Sequence, residues 1–185
     1  MTDTKPPKIY IAMACYDSVM IKTMISMTKL VKELTKAGLE WQIETVKTPF
    51  VSKARNILTA LFLRSKYDYL LFIDADVEFE PEAIIRMLVT KKDIILTPYR
   101  VKLPHDANLV KYTISFPDDK NVPILPGDLV EISEGPAGLL LIHRKVFEFL
   151  MDSCPRLKIK HPFRKESDPY LYNFWDTTFD MDNVL

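Results

Sequence analysis

Apolar positions along this chain fall into short unbroken runs, separated by stretches that carry a helical stripe. "KIYIAMA", residues 8 to 14, reads as a short buried strand. Met20, Met24, Met27, Val31 and Leu34 then recur at three- and four-residue spacing. That spacing predicts a helix over residues 18–37, its stripe filling a core against a sheet, with Asp17 or Ser18 as N-cap and Gly38 as the stop. A second strand is predicted near "LEWQIETV", and a second helix from Ser52 with Ala54, Ile57, Leu58, Leu61 and Phe62 turned inward. "YDYLLFID" is the third strand. Pro81 suits the first turn of a third helix, where its missing N–H costs nothing; this helix carries Ile84, Ile85 and Leu88 and ends near Lys91. "DIILTPY" is the fourth strand.

Four alternations of strand and helix in the first hundred residues predict an α/β fold. Its sheet is mostly parallel, with right-handed crossovers and helices on both faces. From about Val101 the rhythm changes. "LVKYTISF" and "DLVEISEG" read as strands with no helix between them, and "GLLLIHRKVFEFLM" as a strand running into a short helix, so this part is expected to be mixed. A length of 185 residues with 48% apolar content suits one domain spanning 1–185.

Charge narrows the partners. Lys plus Arg and Asp plus Glu both number 25, so no global field favours nucleic acid or an anionic membrane. Cys15 and Cys154 fit no metal-ligand spacing and read as free thiols of a reducing compartment. The start "MTDTKPPK" lacks the apolar core of a signal peptide, and no window approaches the ~18 apolar residues of a membrane span. A soluble, cytoplasmic protein with no transmembrane segment is the expectation.

Ligands of open α/β sheets bind beyond the carboxyl ends of the strands. Asp74 and Asp76 stand there, at the end of the third strand, in "FIDADVEF". If the chain turns after Ile73, both carboxylates can converge on one ligand. Hard oxygen ligands suit Mg²⁺ or Mn²⁺, which bind through one or two carboxylates plus substrate phosphate. Without a cation the pair would repel a phosphate. An isolated pair of this kind is equally a plain solvent-facing turn; the apolar run before it and the E-P-E helix start after it favour the metal. Glu78 reads as solvent-facing or as a helix N-terminal carboxylate.

The segment "ARNILTALFLRSKYDYLLFIDADVEFEPEAIIRMLV", residues 54 to 89, resembles the nucleotide-binding half of GT-A glycosyltransferases, in which a helix bearing an Arg-Asn pair precedes the strand that ends in D-x-D. The resemblance covers roughly residues 8 to 150 and extends to a glycosyltransferase domain encoded by a large algal virus. It implies a nucleotide-binding half over 1–100 and an acceptor- and sugar-binding half over 101–185, the latter short at its C-terminus. It also implies a divalent metal, Mn²⁺ or Mg²⁺, on Asp76, with Asp74 near the ribose or orienting the metal and Ala75 between them. By the same resemblance Ala14, Cys15, Tyr16 and Asp17 would form the base pocket with Tyr16 stacking, and Arg55 would reach the nucleotide. Gly135, Pro136, Ala137 and Gly138 would line the donor-sugar pocket, or form an ordinary hairpin turn. The implied donor is a nucleotide diphosphate sugar, UDP-linked, and the acceptor a hydroxyl on a glycan or glycoprotein.

The chain departs from that pattern at its end, where the family places a catalytic base. Asp176, Asp180 and Asp182 are the carboxylates on offer; Asp176, beside Phe174 and Trp175, is the choice, and inversion the outcome it favours. Those aromatics can stack on a sugar or pack in the core. His143 reads as a packed strand-end side chain, with His105 and His161 left as loop alternatives for a further metal ligand. The basic loop "KIKHPFRK" is a solvated face or a phosphate clamp. Two rivals stand beside this reading. A haloacid-dehalogenase-type phosphatase also uses D-x-D after an apolar strand, but usually opens with it; a nucleotide-sugar-binding module would need no base at all.

Overall fold

The computed structural model describes residues 5–100, 112–117, 127, 129–159 and 168–176. Strand β1, Ile9–Cys15, is central to the parallel part, and its side chains alternate between two cores. Ile9, Ile11 and Met13 face one way, Tyr10 and Ala12 the other. Helix α1, Ile21–Lys36, and strand β2, Trp41–Lys47, follow; then come helix α2, Val51–Arg64, strand β3, Tyr69–Ile73, and helix α3, Pro81–Thr90. Strands β4, Ile94–Leu96, and β5, Leu139–His143, and helix α4, Arg144–Ser153, complete the order. The sheet runs β2-β1-β3-β5-β4. β2, β1 and β3 pair in parallel, and β5 enters antiparallel between β3 and β4. The expected α/β class, mostly parallel with a mixed C-terminal part, is therefore what the chain forms.

Helices cover both faces because both faces of the strands are apolar. Met27, Leu30 and Leu34 of α1 and Ile84, Met87 and Leu88 of α3 pack on Ile11, Leu71 and Leu141. On the opposite face Leu58, Phe62 and Leu63 of α2 and Phe147 of α4 pack on Tyr10, Leu70, Phe72 and Leu140. Gly38 ends α1 at φ +68, a backbone conformation in which a side chain would be strained.

The register of α1 differs from the expectation. Its buried positions are Thr23, Ser26, Met27, Leu30 and Leu34, while Met20 and Met24 stay 54% and 53% exposed. Its N-cap is Met20, not Asp17 or Ser18. The cause lies at both ends of the contact. Met20 donates its N–H to the Ala75 carbonyl at 2.9 Å, which holds the preceding residues as a loop over the D-x-D turn. Ser26 Oγ accepts the Phe79 N–H at 3.1 Å, so a polar residue faces inward where a buried amide needs a partner. In α2, likewise, Ile57 and Leu61 are only half-buried, and Asn56 and Thr59 are inside.

Arg144, the first residue of α4, closes the end of α2. Its guanidinium donates to the carbonyls of Phe62 at 2.8 Å, Leu63 at 3.1 Å, Ser65 at 3.0 Å and Tyr67 at 2.7 Å, and lies 4.5 Å from the Phe62 ring. A cation here satisfies the open carbonyls at the negative end of α2. Burial lowers its pKa.

The described parts of the two predicted strands at 109–116 and 128–135 make only isolated antiparallel pairings, Arg100 with Tyr112 and Ser115 with Glu134; the rest of those segments lies outside the described residues. Both cysteines are free thiols. Among the described residues, no helix is long and apolar enough to cross a membrane.

Candidate functional site

Alternation along β3 decides where Asp74 goes. Phe72 faces the α2 side, and Asp74, two residues on, follows it. There it meets Arg55 of α2, whose Nη2 lies 2.8 Å from Asp74 Oδ1. The same nitrogen donates to the Ala137 carbonyl at 3.3 Å. The guanidinium carbon stands 5.7 Å from the Phe72 ring centroid and 5.6 Å from that of Trp175. The Arg55 side chain, 14% exposed, is thus fixed from three directions, and it contacts the D-x-D itself. Its Nε is buried with no partner among the described atoms.

After Ile73 the chain turns. Val77 donates to the Asp74 carbonyl at 3.3 Å, and Asp74 N–H donates to the Gly138 carbonyl at 2.9 Å, which ties the turn to the start of β5. Asp76, at the turn's tip, is exposed, and no hydrogen bond engages its carboxylate among the described residues. Glu78 faces solvent and pairs with Lys22 at 3.1 Å.

Gly138 is buried between two site groups. A Cβ built there would stand 3.1 Å from Asp74 Oδ2, 3.1 Å from Tyr99 Cε1 and 3.4 Å from Val77 Cγ2. Glycine lets backbone, carboxylate and ring close together. At Gly135 a Cβ would meet Leu96 at 2.6 Å, so that glycine serves packing on β4. Pro136 and Ala137 are half-buried between them. Tyr99 was not visible as a site residue in the sequence. It comes from beyond β4, and only the strand order, with β5 between β3 and β4, brings it to the D-x-D. Burial raises its pKa, and the Asp74 and Asp76 carboxylates add to that while Arg55 opposes it.

The end of β1 and the loop after it lie at the same edge. Ala14 and Cys15 are half-buried, with the Cys15 thiol donating to the Ser18 carbonyl at 3.2 Å. Tyr16 is 68% exposed, and Asp17 pairs with Lys47 at 3.0 Å.

Asp176 is carried by the C-terminal segment, which docks on α2. Asn56 Nδ2 donates to Asn173 Oδ1 at 2.8 Å, and Asn56 Oδ1 accepts the Trp175 N–H at 3.0 Å. Trp175 Nε1 donates to Thr59 Oγ1 at 2.9 Å, and its ring meets Phe72 edge-on at 5.0 Å. Asp176 is exposed and accepts from Asn173 Nδ2 at 2.7 Å. Phe174 packs on Phe147 and Tyr172, and both aromatics lie partly buried against the core on the α2 side. Asn56, the second member of the Arg-Asn pair, is the latch for this segment. His143 is the packed residue expected: its Nδ1 accepts from Lys145 N–H at 3.1 Å, and its ring sits 4.8 Å from Tyr69. His105, His161, Asp180, Asp182 and all but the first two residues of the basic loop lie outside the described residues.

Among the described residues, no three His, Cys, Asp or Glu side chains gather to hold a metal ion. What the turn does offer is Asp76, its two oxygens open among the described residues, and Asp74 Oδ2 beside an Oδ1 already engaged by Arg55. That donor set fits a Mg²⁺ or Mn²⁺ shared with a ligand's phosphates, and not one caged by protein alone.

No family model matches the chain, and no curated protein does. Solved structures resemble it. The STIV protein A197 is 22% identical, with a TM-score of 0.48, over 84% of this chain and 70% of that one. A glycosyltransferase involved in the glycosylation of the major capsid of PBCV-1 is 12% identical, with a TM-score of 0.40, over 80% of this chain and 69% of that one. The 4-diphosphocytidyl-2C-methyl-D-erythritol synthase from Anaerococcus prevotii is 13% identical, with a TM-score of 0.42, over 84% and 80%. Overlaps of this extent carry no argument about chemistry.

Proposed function

We propose that the protein is a metal-dependent glycosyltransferase that moves a sugar from a nucleotide diphosphate sugar, UDP-linked, to a hydroxyl of a glycan or glycoprotein. The observation that supports it is the unequal state of the two aspartates. Arg55 holds Asp74 at 2.8 Å, while the Asp76 carboxylate stands exposed at the tip of a turn tied down on both sides. One or two carboxylates with open oxygens are enough for a divalent cation that also binds a ligand's phosphates.

Charge supports the same reading. Arg55 offsets Asp74, so the turn carries about one net negative charge. A divalent cation held by Asp76, with Asp74 Oδ2 beside it, would leave a net positive site for a diphosphate. Bound Mg²⁺ or Mn²⁺ would supply Lewis-acid neutralisation of the departing diphosphate. The chain's own groups do the rest. Ala14 and Cys15 at the end of β1, with Tyr16 and Asp17 beyond it, line the base side, and Tyr16 is open for stacking. Arg55 orients Asp74 and, through Ala137, the backbone before β5. Asp176, held by the Asn173 amide, takes the acceptor proton as the new glycosidic bond forms and the sugar–phosphate bond breaks, with inversion.

The test is calorimetric titration of UDP in the presence and absence of Mn²⁺. Wild type is expected to bind UDP only with the metal, and Asp76→Ala to lose that dependence. Metal-dependent binding unchanged in Asp76→Ala would refute the assignment. Hydrolysis of a panel of nucleotide sugars separates enzyme from binding module, because the module binds without turnover.

A further inference from the structure

The strand order arranges the site in a line. Along the carboxyl edge of the parallel strands, the end of β1 is followed by the end of β3, the start of antiparallel β5 and the end of β4. Tyr16 stands beyond β1, Asp74 and Asp76 beyond β3, Gly138 before β5 and Tyr99 beyond β4. Three strand intervals separate the two tyrosines' strands, about 14 Å at the usual spacing. With the diphosphate at the D-x-D and the nucleoside on the Tyr16 side, the transferred sugar lies toward Tyr99.

The Tyr99 ring is set up as a surface. Its Cε1 and Asp74 Oδ2 would each stand 3.1 Å from a Cβ built at Gly138. Its carbonyl accepts both the N–H and the Oγ1 hydroxyl of Thr113, each at 3.1 Å, which anchors the backbone that carries the ring. Yet 42% of the residue remains exposed. An anchored aromatic ring beside two carboxylates offers an apolar face for the C–H side of a pyranose and a hydroxyl for one of its oxygens.

We propose that Tyr99 is the platform for the transferred sugar and sets the donor's sugar preference. The proposal rests on the D-x-D reading above. Tyr99 would act apart from the glycine-containing turn, which permits its approach.

The experiment titrates wild type, Tyr99→Phe, Tyr99→Leu and Tyr99→Ala with UDP, GDP, UDP-glucose, UDP-galactose, UDP-N-acetylglucosamine and GDP-mannose, all with Mn²⁺. The best-bound sugar nucleotide is expected to weaken at least tenfold in Tyr99→Ala and Tyr99→Leu, while its parent nucleoside diphosphate stays within twofold. Tyr99→Phe, which keeps the ring, is expected to stay within about threefold for both. Equal weakening of nucleotide and nucleotide sugar overturns the proposal, because the ring would then serve the nucleoside or the fold. No change in either overturns it too, as does a wild type that binds its sugar nucleotide no better than the parent diphosphate. Wild type that binds no nucleoside diphosphate at all overturns the functional reading and this inference with it. Tyr99→Leu fills the space without the ring, so an unfolded Tyr99→Ala leaves the test intact.

Discussion

Removing Arg55 tests the part of the site that holds Asp74. The guanidinium makes a 2.8 Å charge-assisted bond to Asp74 and a 3.3 Å bond to the Ala137 carbonyl. A hydrogen bond to a charged group is worth roughly 1.5–3 kcal/mol, and with the Asp74 side chain 32% exposed, solvent screening places this one at the lower end, about 1.5 kcal/mol. Its contacts with Phe72 and Trp175 add roughly 0.5–1 kcal/mol each. Arg55→Ala is therefore expected to cost about 3 kcal/mol, read as a lower urea midpoint with an unchanged m-value. Asp74→Ala is expected to cost about 2 kcal/mol, mostly by leaving a half-buried cation unpaired. In the double variant the two losses should fall short of additivity by about 1.5 kcal/mol. Additivity within about 0.5 kcal/mol would refute the claim that Arg55 fixes Asp74 energetically.

Arg144→Ala strips four carbonyls of a shared donor and is expected to lower stability by about 3–4 kcal/mol in urea denaturation, with Arg144→Lys recovering only part because an ammonium cannot span the same fork. Tyr10 is buried, and burial pushes its phenol up to about 12. The unfolded chain releases that proton near pH 10 and the folded chain does not, so stability should be full below pH 10 and fall as pH rises from there toward 12. Tyr10→Phe should shallow that fall in thermal melts taken across the same window. Gly138→Ala should weaken metal-dependent UDP-sugar binding severalfold, since its Cβ must displace an Asp74 carboxylate that Arg55 holds in place.

The fold was legible where side-chain pattern and burial agree. β3 is five consecutive buried apolar residues that stop at two aspartates, and both the strand and the turn follow from that run. Pro81 at the start of α3 was likewise readable, because its geometry admits few other positions. The register of α1 was not, because Ser26 faces inward to satisfy an amide from a distant loop, a need invisible in the helix's own sequence. The site shows the same division. Asp74 and Asp76 announce themselves by position, and the Gly135–Gly138 turn by its glycines. Tyr99 and the Asn56 latch depend on strand order and on a C-terminal segment folding back, so no local spacing could reveal them. The resemblance implied that Arg55 reaches the nucleotide; its pairing with Asp74, which the alternation of β3 brings to the same face as α2, was not foreseen in the sequence.

Asp76 as anchor of the cation is the claim everything else depends on. Its most direct test is anomalous diffraction at the manganese edge from crystals soaked with UDP and Mn²⁺. A single strong manganese peak bonded to the Asp76 carboxylate and to both phosphates is the predicted result. A manganese peak elsewhere, or UDP bound away from the end of β3, would contradict it.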